Sequence, residues 1–149
     1  MLEGLEENSS GRVVIQTYNP DHYAIIHSKS QNYEAFYKTE IPLRKMLKYP
    51  PFCDIIVVRF QGSNVYELKK VSEIVYNKIN SVAQDNLMIY KPVPAPIDKI
   101  KNKYRWRMIL KCRVTSRILD IIKFGITDEK ISKMKNTSII VDINPNNLM

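Results

Sequence analysis

Lys103-Tyr104-Arg105-Trp106-Arg107-Met108-Ile109-Leu110-Lys111-Cys112-Arg113 is apolar or aromatic at every even position and cationic at all but one of the odd ones. Side chains alternate between the two faces of a β-strand, so the run predicts a strand with two unlike sides. Lys103, Arg105, Arg107, Lys111 and Arg113 share one side, and Tyr104, Trp106, Met108, Leu110 and Cys112 share the other. The apolar side anchors the strand in a core. The other side presents a row of fixed positive charge, suited to a nucleic-acid backbone or an acidic peptide.

The neighbours of this strand decide the architecture. Immediately upstream, Lys91-Pro92-Val93-Pro94-Ala95-Pro96-Ile97 has proline at every second position and is expected to be an extended loop lacking ladder donors. Before it, Leu87 to Tyr90 reads as a short strand. Further back, Asn64 is placed to cap a helix whose apolar residues Val65, Leu68, Val71, Val75, Ile79 and Val82 step by three or four. That helix follows a β-branched strand, Cys53 to Phe60, across a Gln61-Gly62-Ser63 turn. Downstream come a helix from Ser116 carrying Ile118, Ile121 and Ile122, with room to continue past Gly125, and a final strand, Ser138 to Ile143. The order β-α-β-β-α-β predicts an α+β fold, a ferredoxin-like sandwich in which two helices cover one face of a four-stranded antiparallel sheet. The other face is expected to stay open for binding.

Upstream of this unit the pattern is weaker. Residues 1–10 lack periodicity and are expected to be disordered or foreign to the native chain. Val13-Val14-Ile15-Gln16-Thr17 reads as a short buried strand ended by the Tyr18-Asn19-Pro20-Asp21 turn. Asp21 and Ser30 are candidate caps for two short helices, Pro42 is expected to break or kink the second, and Tyr49-Pro50-Pro51-Phe52 marks a boundary. The expected organisation is therefore residues 1–10, residues 11–50 and a domain over residues 51–149.

With 149 residues and 44% apolar content, the chain suffices for one ordinary core. It lacks an apolar run long enough to cross a bilayer, and its acidic opening is unlike a signal peptide, so a soluble cytoplasmic protein without a membrane partner is expected. Cys53 and Cys112 are far apart and only His22 and His27 accompany them, which supports neither a disulfide framework nor a zinc site. The net charge of +8 is concentrated: residues 91–117 hold nine bases against the single acid Asp98, and the rest of the chain sums to zero.

Catalytic signatures are missing. The chain contains no phosphate-binding G-x-x-x-x-G-K-[ST] loop, H-E-x-x-H motif or nucleophile elbow. A lysine- and arginine-rich strand can be no more than a solvated face or a protected edge. Three features favour binding instead: the sustained alternation, the nearby aromatics Tyr90, Tyr104 and Trp106, and the stiff basic loop before the strand. Arginine forks onto phosphates, and aromatics stack on unpaired bases, although Trp106 lies on the apolar side and is better read as core. Arg117, beside Ser116 at a helix start, is a candidate anchor for an anion or carboxylate.

Several ordered motifs together resemble the carboxy-terminal end of the primosomal protein N′ (PriA) family of bacterial replication-restart DNA helicases. They are Gly11 to His22, Tyr33-Glu34-Ala35-Phe36-Tyr37, Arg44 to Phe52 ending Tyr-Pro-Pro-Phe, Pro94-Ala95-Pro96-Ile97, Tyr104-Arg105-Trp106 and Val141-Asp142-Ile143-Asn144-Pro145. The resemblance implies that residues 11–50 end the second helicase lobe and that residues 51–149 form a C-terminal domain similar to a ribosomal small-subunit protein. It also implies an ATP-dependent 3′-to-5′ helicase as parent, whose ATP, magnesium and zinc sites lie upstream, so that this fragment holds no cofactor. The implied partners are single-stranded or branched DNA, the acidic tail of single-stranded DNA-binding protein and the rest of the helicase. Lys99, Lys101, Lys103, Arg105, Arg107 and Lys111 become the expected DNA contacts, and Arg117 the expected peptide contact. Two departures are Asn144-Pro145 where Asp-Pro is usual, and Pro42 in a region typically unbroken.

Other functions of the same fold remain open on sequence alone. They are a module that binds an acidic peptide, a ferredoxin-like RNA-binding domain, and a small enzyme of the acylphosphatase kind. The second lacks paired aromatic signatures and the third lacks a phosphate-cradling loop.

Overall fold

The alternating run forms a strand in the computed structural model, which describes residues 13–84, 86–134 and 136–147. The opening residues 1–10 and the Gly11-Arg12 start of the first motif lie outside the described residues. The elements are α1 (Tyr23–Lys29), α2 (Tyr33–Met46), β1 (Asp54–Gly62), α3 (Val65–Val82), β2 (Met88–Ile89), β3 (Val93–Ile100), β4 (Lys103–Cys112), α4 (Ser116–Ile126), α5 (Glu129–Ser132) and β5 (Thr137–Ile143). The chain divides into two compact units, one up to Pro42 and one from Leu43 onward.

In the first unit, α1 is capped by His22, whose Nδ1 accepts the Ala24 N–H at 3.2 Å, and not by Asp21. At the start of α2 the acceptor is Asn32 Oδ1, bonded to Ala35 N–H at 3.0 Å, where Ser30 was expected. The helix continues through Pro42, which lies in its interior. One lost N–H donor is therefore absorbed by the flanking turns without ending the helix. Tyr23 stacks on Phe36 and donates its hydroxyl proton to the Glu40 carboxylate. Val13 to Thr17 is a correction: the segment is exposed and irregular, with Val13 86% and Val14 78% accessible. A strand needs a neighbour for its N–H and C=O groups, and among the described residues this segment has none.

The second unit carries the sheet. β1 lies between β4 and β5, antiparallel to both, and β4 pairs with β2 and β3 along its other edge. β2 and β3 follow one another along that edge, and between them Tyr90 N–H donates to the Ile109 carbonyl of β4 at 2.9 Å, so together they fill one strand position. The result is the expected β-α-β-β-α-β sandwich. The proline-rich segment is a strand and not a loop, a second correction. Its prolines recur at every second residue, which confines the missing donors to one side, and an edge strand has one side without a neighbour. Lys101 and Asn102, with φ of 48° and 60°, close the β3–β4 hairpin in the left-handed conformation that two-residue turns use.

Core placement follows the sequence parity. Ile56, Val58 and Phe60 of β1 join Met108, Leu110 and Cys112 of β4, with Ile139 and Val141 of β5 packed against them. Above this face lie Leu68, Val71, Val75 and Ile79 of α3 and Ile118 and Ile122 of α4. Asn64 caps α3 as expected, its side chain accepting the N–H groups of Tyr66 and Glu67. Tyr104 and Trp106 are half-buried at the end of the same core.

A polar clasp joins the beginning of β1 to the residues immediately after β4 and β5. Asp54 accepts the Val114 N–H at 2.9 Å and the Asn144 side-chain amide at 3.0 Å, while Asn144 also bonds both backbone groups of Ile55. The Val114 N–H, then Asn144 and the nearby Arg113 charge, hold the Asp54 carboxyl below its usual value of 3.8 despite partial desolvation. A carboxyl with a depressed folded-state pKa adds stability above its unfolded pKa and loses that stability as pH falls through the folded value. The denaturant midpoint is therefore expected to drop as pH falls below about 4. Asp54→Asn is expected to be less stable at pH 7 and to show a shallower drop, measured by urea titration from pH 6 to pH 3. An equally steep drop in the variant would place the acid sensitivity elsewhere.

Candidate nucleic-acid interface

The sheet face turned away from the helices is set by β1, β4 and β5 in register. Ile55 pairs with Lys111, Val57 with Ile109 and Asp142, Arg59 with Arg107 and Ile140, and Gln61 with Arg105 and Ser138. Each such group shares one face because directly opposed residues point the same way. Lys103 and Ile100 continue the face to the hairpin.

This face is not open throughout, which corrects the expectation. Val57 is fully buried and Ile55 is 5% accessible. The Leu47–Pro51 segment is tied down at the end of β4 by three bonds. Lys111 Nζ donates to the Leu47 carbonyl at 2.9 Å, Arg113 donates to the Pro51 carbonyl at 3.1 Å, and the Cys53 thiol donates to the Lys48 carbonyl at 2.9 Å. The Lys111 ammonium also lies 3.6 Å from the centre of the Tyr49 ring and 5.6 Å from that of Tyr90. Burial and these partners commit Lys111 to holding the strap, so it is not presented with the other expected contacts.

The remaining cations gather at the opposite end. Lys99, Lys101 and Lys103 are exposed around the hairpin turn, and Arg105 and Arg107 are half-buried on the face beside it. Lys99 stands over the Tyr104 ring at 5.0 Å, on the other side of the hairpin from Lys103. Along β4, same-face side chains recur roughly every 7 Å, a spacing that a flexible single strand of nucleic acid can follow. Arg117 belongs to a different place. It is exposed in the first turn of α4, beyond the far end of β4, whose length separates it from the hairpin by roughly 30 Å.

Sequence reading missed Arg59. As one cation in an apolar strand it looks like decoration, but the register sets it directly opposite Arg107. Arg59 Nη1 lies 2.6 Å from the Asp142 carboxylate, and its Nη2 donates to the Asn147 carbonyl at 3.3 Å. Arg59, Arg105 and Arg107, with Gln61, Ala95 and Ile140, line a pocket of about 110 Å³ on this face.

Both cysteines are buried, and burial, with smaller contributions from Asp54 and Cys53, pushes the Cys112 thiol up to about 11. Among the described residues no group of three or more His, Cys, Asp or Glu is placed to hold a metal ion, and no helix is long and apolar enough to cross a membrane.

Residues 45–146 match the family model described as the primosomal protein N C-terminal domain. Among curated relatives, the Replication restart protein PriA of Synechocystis sp. is 33% identical over 133 residues, covering 89% of this chain and 15% of that protein. The PriA of Borreliella burgdorferi is 31% identical over 92% of this chain and 20% of its own length. That of Bacillus subtilis is 29% identical over 93% and 17%. The chain thus spans about a fifth or less of the length of these relatives.

Proposed function

The chain belongs to the primosomal protein N C-terminal domain family, and from that membership we propose that it is the DNA-binding C-terminal portion of a replication-restart helicase. The observation that carries this reading is the gathering of Lys99, Lys101, Lys103, Arg105 and Arg107 around one hairpin and its adjoining sheet face. These cations capture the phosphate backbone of single-stranded or forked DNA, and the rest of the longer protein supplies the motor. No helicase motif lies within this chain, so unwinding is the property of the parent.

Capture by about four phosphates of a single strand makes log affinity fall against log salt with a slope of roughly −3. Fluorescence anisotropy of single-stranded, forked and duplex DNA across a salt series measures that slope. Affinity independent of salt would overturn the reading, and preference for RNA over forked DNA would favour a ribosomal-type binder.

Arg117 serves a second partner in this proposal, the acidic tail of single-stranded DNA-binding protein. Its exposure and its distance from the hairpin support the separation of the two surfaces. A fluorescent acidic peptide ending in Asp and Phe is expected to bind the intact chain, to survive Arg105→Ala and to lose most of its affinity with Arg117→Ala. Loss with Arg105→Ala alone would move the peptide to the hairpin surface.

A further inference from the structure

Three guanidinium groups border one small pocket, a concentration of donors that suits an anion. Arg59 and Arg107 are directly opposed across β1 and β4, and Arg105, opposite Gln61, is the next residue along that face. Like charges directly opposed across strands destabilise a sheet. Asp142 lies 2.6 Å from Arg59 Nη1. Arg59 Nη2 is taken by the Asn147 carbonyl, so the Arg59 guanidinium is held in position from two directions. Its Nε–H is buried and has no acceptor among the described residues. The Gln61 side chain adds a neutral amide to the lining, and Ile140 and Ala95 supply apolar walls.

We propose that this pocket, bounded by Arg59, Arg105, Arg107 and Gln61, is the seat of one phosphate group of a bound nucleic-acid strand. The inference rests on the DNA-binding reading and sharpens it. Arginine suits such a seat because its planar fork donates two parallel bonds to phosphate oxygens, which a lysine cannot do. The pocket also sets the path of the strand. From Lys101 and Lys103 the backbone passes Arg105 and then turns across β1 towards Ile140 of β5. It cannot continue along β4, because the far end of that face is closed by the Leu47–Pro51 strap and Lys111 is buried there.

The test uses the full chain and a 5′-fluorescein-labelled oligothymidylate, followed by anisotropy across salt. Arg59→Gln is expected to weaken binding about tenfold at low salt and to reduce the steepness of the salt slope by roughly 0.7, the loss of one single-strand phosphate contact. Arg59→Lys keeps the charge, so it should retain the slope while recovering only part of the affinity. Because Arg59 also ties β1 to Asp142, Gln61→Glu provides a variant that leaves this pair intact. Its added carboxylate in the pocket is expected to weaken binding by a similar factor. The pocket is idle if Lys103→Gln weakens binding while Arg59→Gln and Gln61→Glu leave both affinity and slope unchanged, an outcome under which the DNA reading survives. Salt-independent binding by the unaltered chain would instead remove the DNA reading and, with it, this assignment.

Discussion

Replacing Lys101, Lys103 and Arg105 together by glutamine is expected to lower affinity for single-stranded DNA on the order of 100-fold at low ionic strength, at near 1 kcal/mol per phosphate contact. The same variant should lose about 2 from the steepness of its salt slope, since each single-strand contact contributes about 0.7. All three side chains lie on the hairpin or on the half of β4 next to it, and Lys101 and Lys103 are exposed. Among the described residues their removal strands no buried partner, so folding is expected to be unaffected and thermal melting should confirm it. Lys111→Met gives the contrasting result. It abolishes the bond to the Leu47 carbonyl and the contact with Tyr49, so it should lower the melting temperature and leave the salt slope unchanged. A salt slope that falls as much with Lys111→Met as with any single hairpin substitution would mean that the strap opens to admit DNA.

Gly125→Val is expected to destabilise the chain by about 3 kcal/mol, the upper part of the range for overpacking a core. Gly125 is a buried residue of α4 where that helix meets α3. A Cβ built there would lie 2.8 Å from Ile79 Cδ1 and still nearer to Ile79 Cγ1. Ile79 is fully buried and β-branched, so its stiff χ1 cannot swing the side chain clear. Relief requires the two helices to move apart over a core that already contains Leu68, Val71, Val75, Ile118 and Ile122. Gly125→Ala is milder, about 1–2 kcal/mol, because the gain in helix propensity offsets part of the clash. Urea unfolding of Gly125→Ala in the native and Ile79→Ala backgrounds measures the coupling, and the cost of the alanine should shrink when Ile79 is shortened. Stabilisation by Gly125→Ala alone would show that the helices do not approach as closely as this.

The parts of the fold legible in the sequence are those decided by local periodicity. Alternation assigned Met108, Leu110 and Cys112 to the core, and the three-and-four stepping placed Leu68, Val71, Val75 and Ile79 on one buried stripe. Asn64 was legible as a cap because its side chain bonds N–H groups only two and three residues away. The features that escaped depended on distant partners. Lys111 has the same local pattern as Arg105, and distant partners distinguish it: a carbonyl 64 residues upstream and the Tyr49 ring. Val13 to Thr17 has a strand's composition without a strand's neighbour among the described residues. Pro92, Pro94 and Pro96 disguised a strand because a proline's missing donor matters only where a neighbour would have received it, and β3 is an edge. Arg59 carried no local signal at all; pairing with Arg107 gives it a role, and register is a tertiary property.

The central position of β1 has a kinetic consequence. Among the described residues it precedes every other strand, yet its partners arrive late: Gly62 pairs with Tyr104, 42 residues on, and Ile56 pairs with Ile143, 87 residues on. No hairpin supports it. Long loops must therefore close before Val57 and Val58 gain any shelter, and folding should be slow for a chain of this size, with β1 committed only when β4 and β5 dock. Until then β1 is an apolar strand with both edges unpaired, the kind of segment that recruits other chains. Shortening the chain before Thr137 removes one of those neighbours permanently, and the shortened protein is expected to accumulate as aggregate rather than as a weakened monomer.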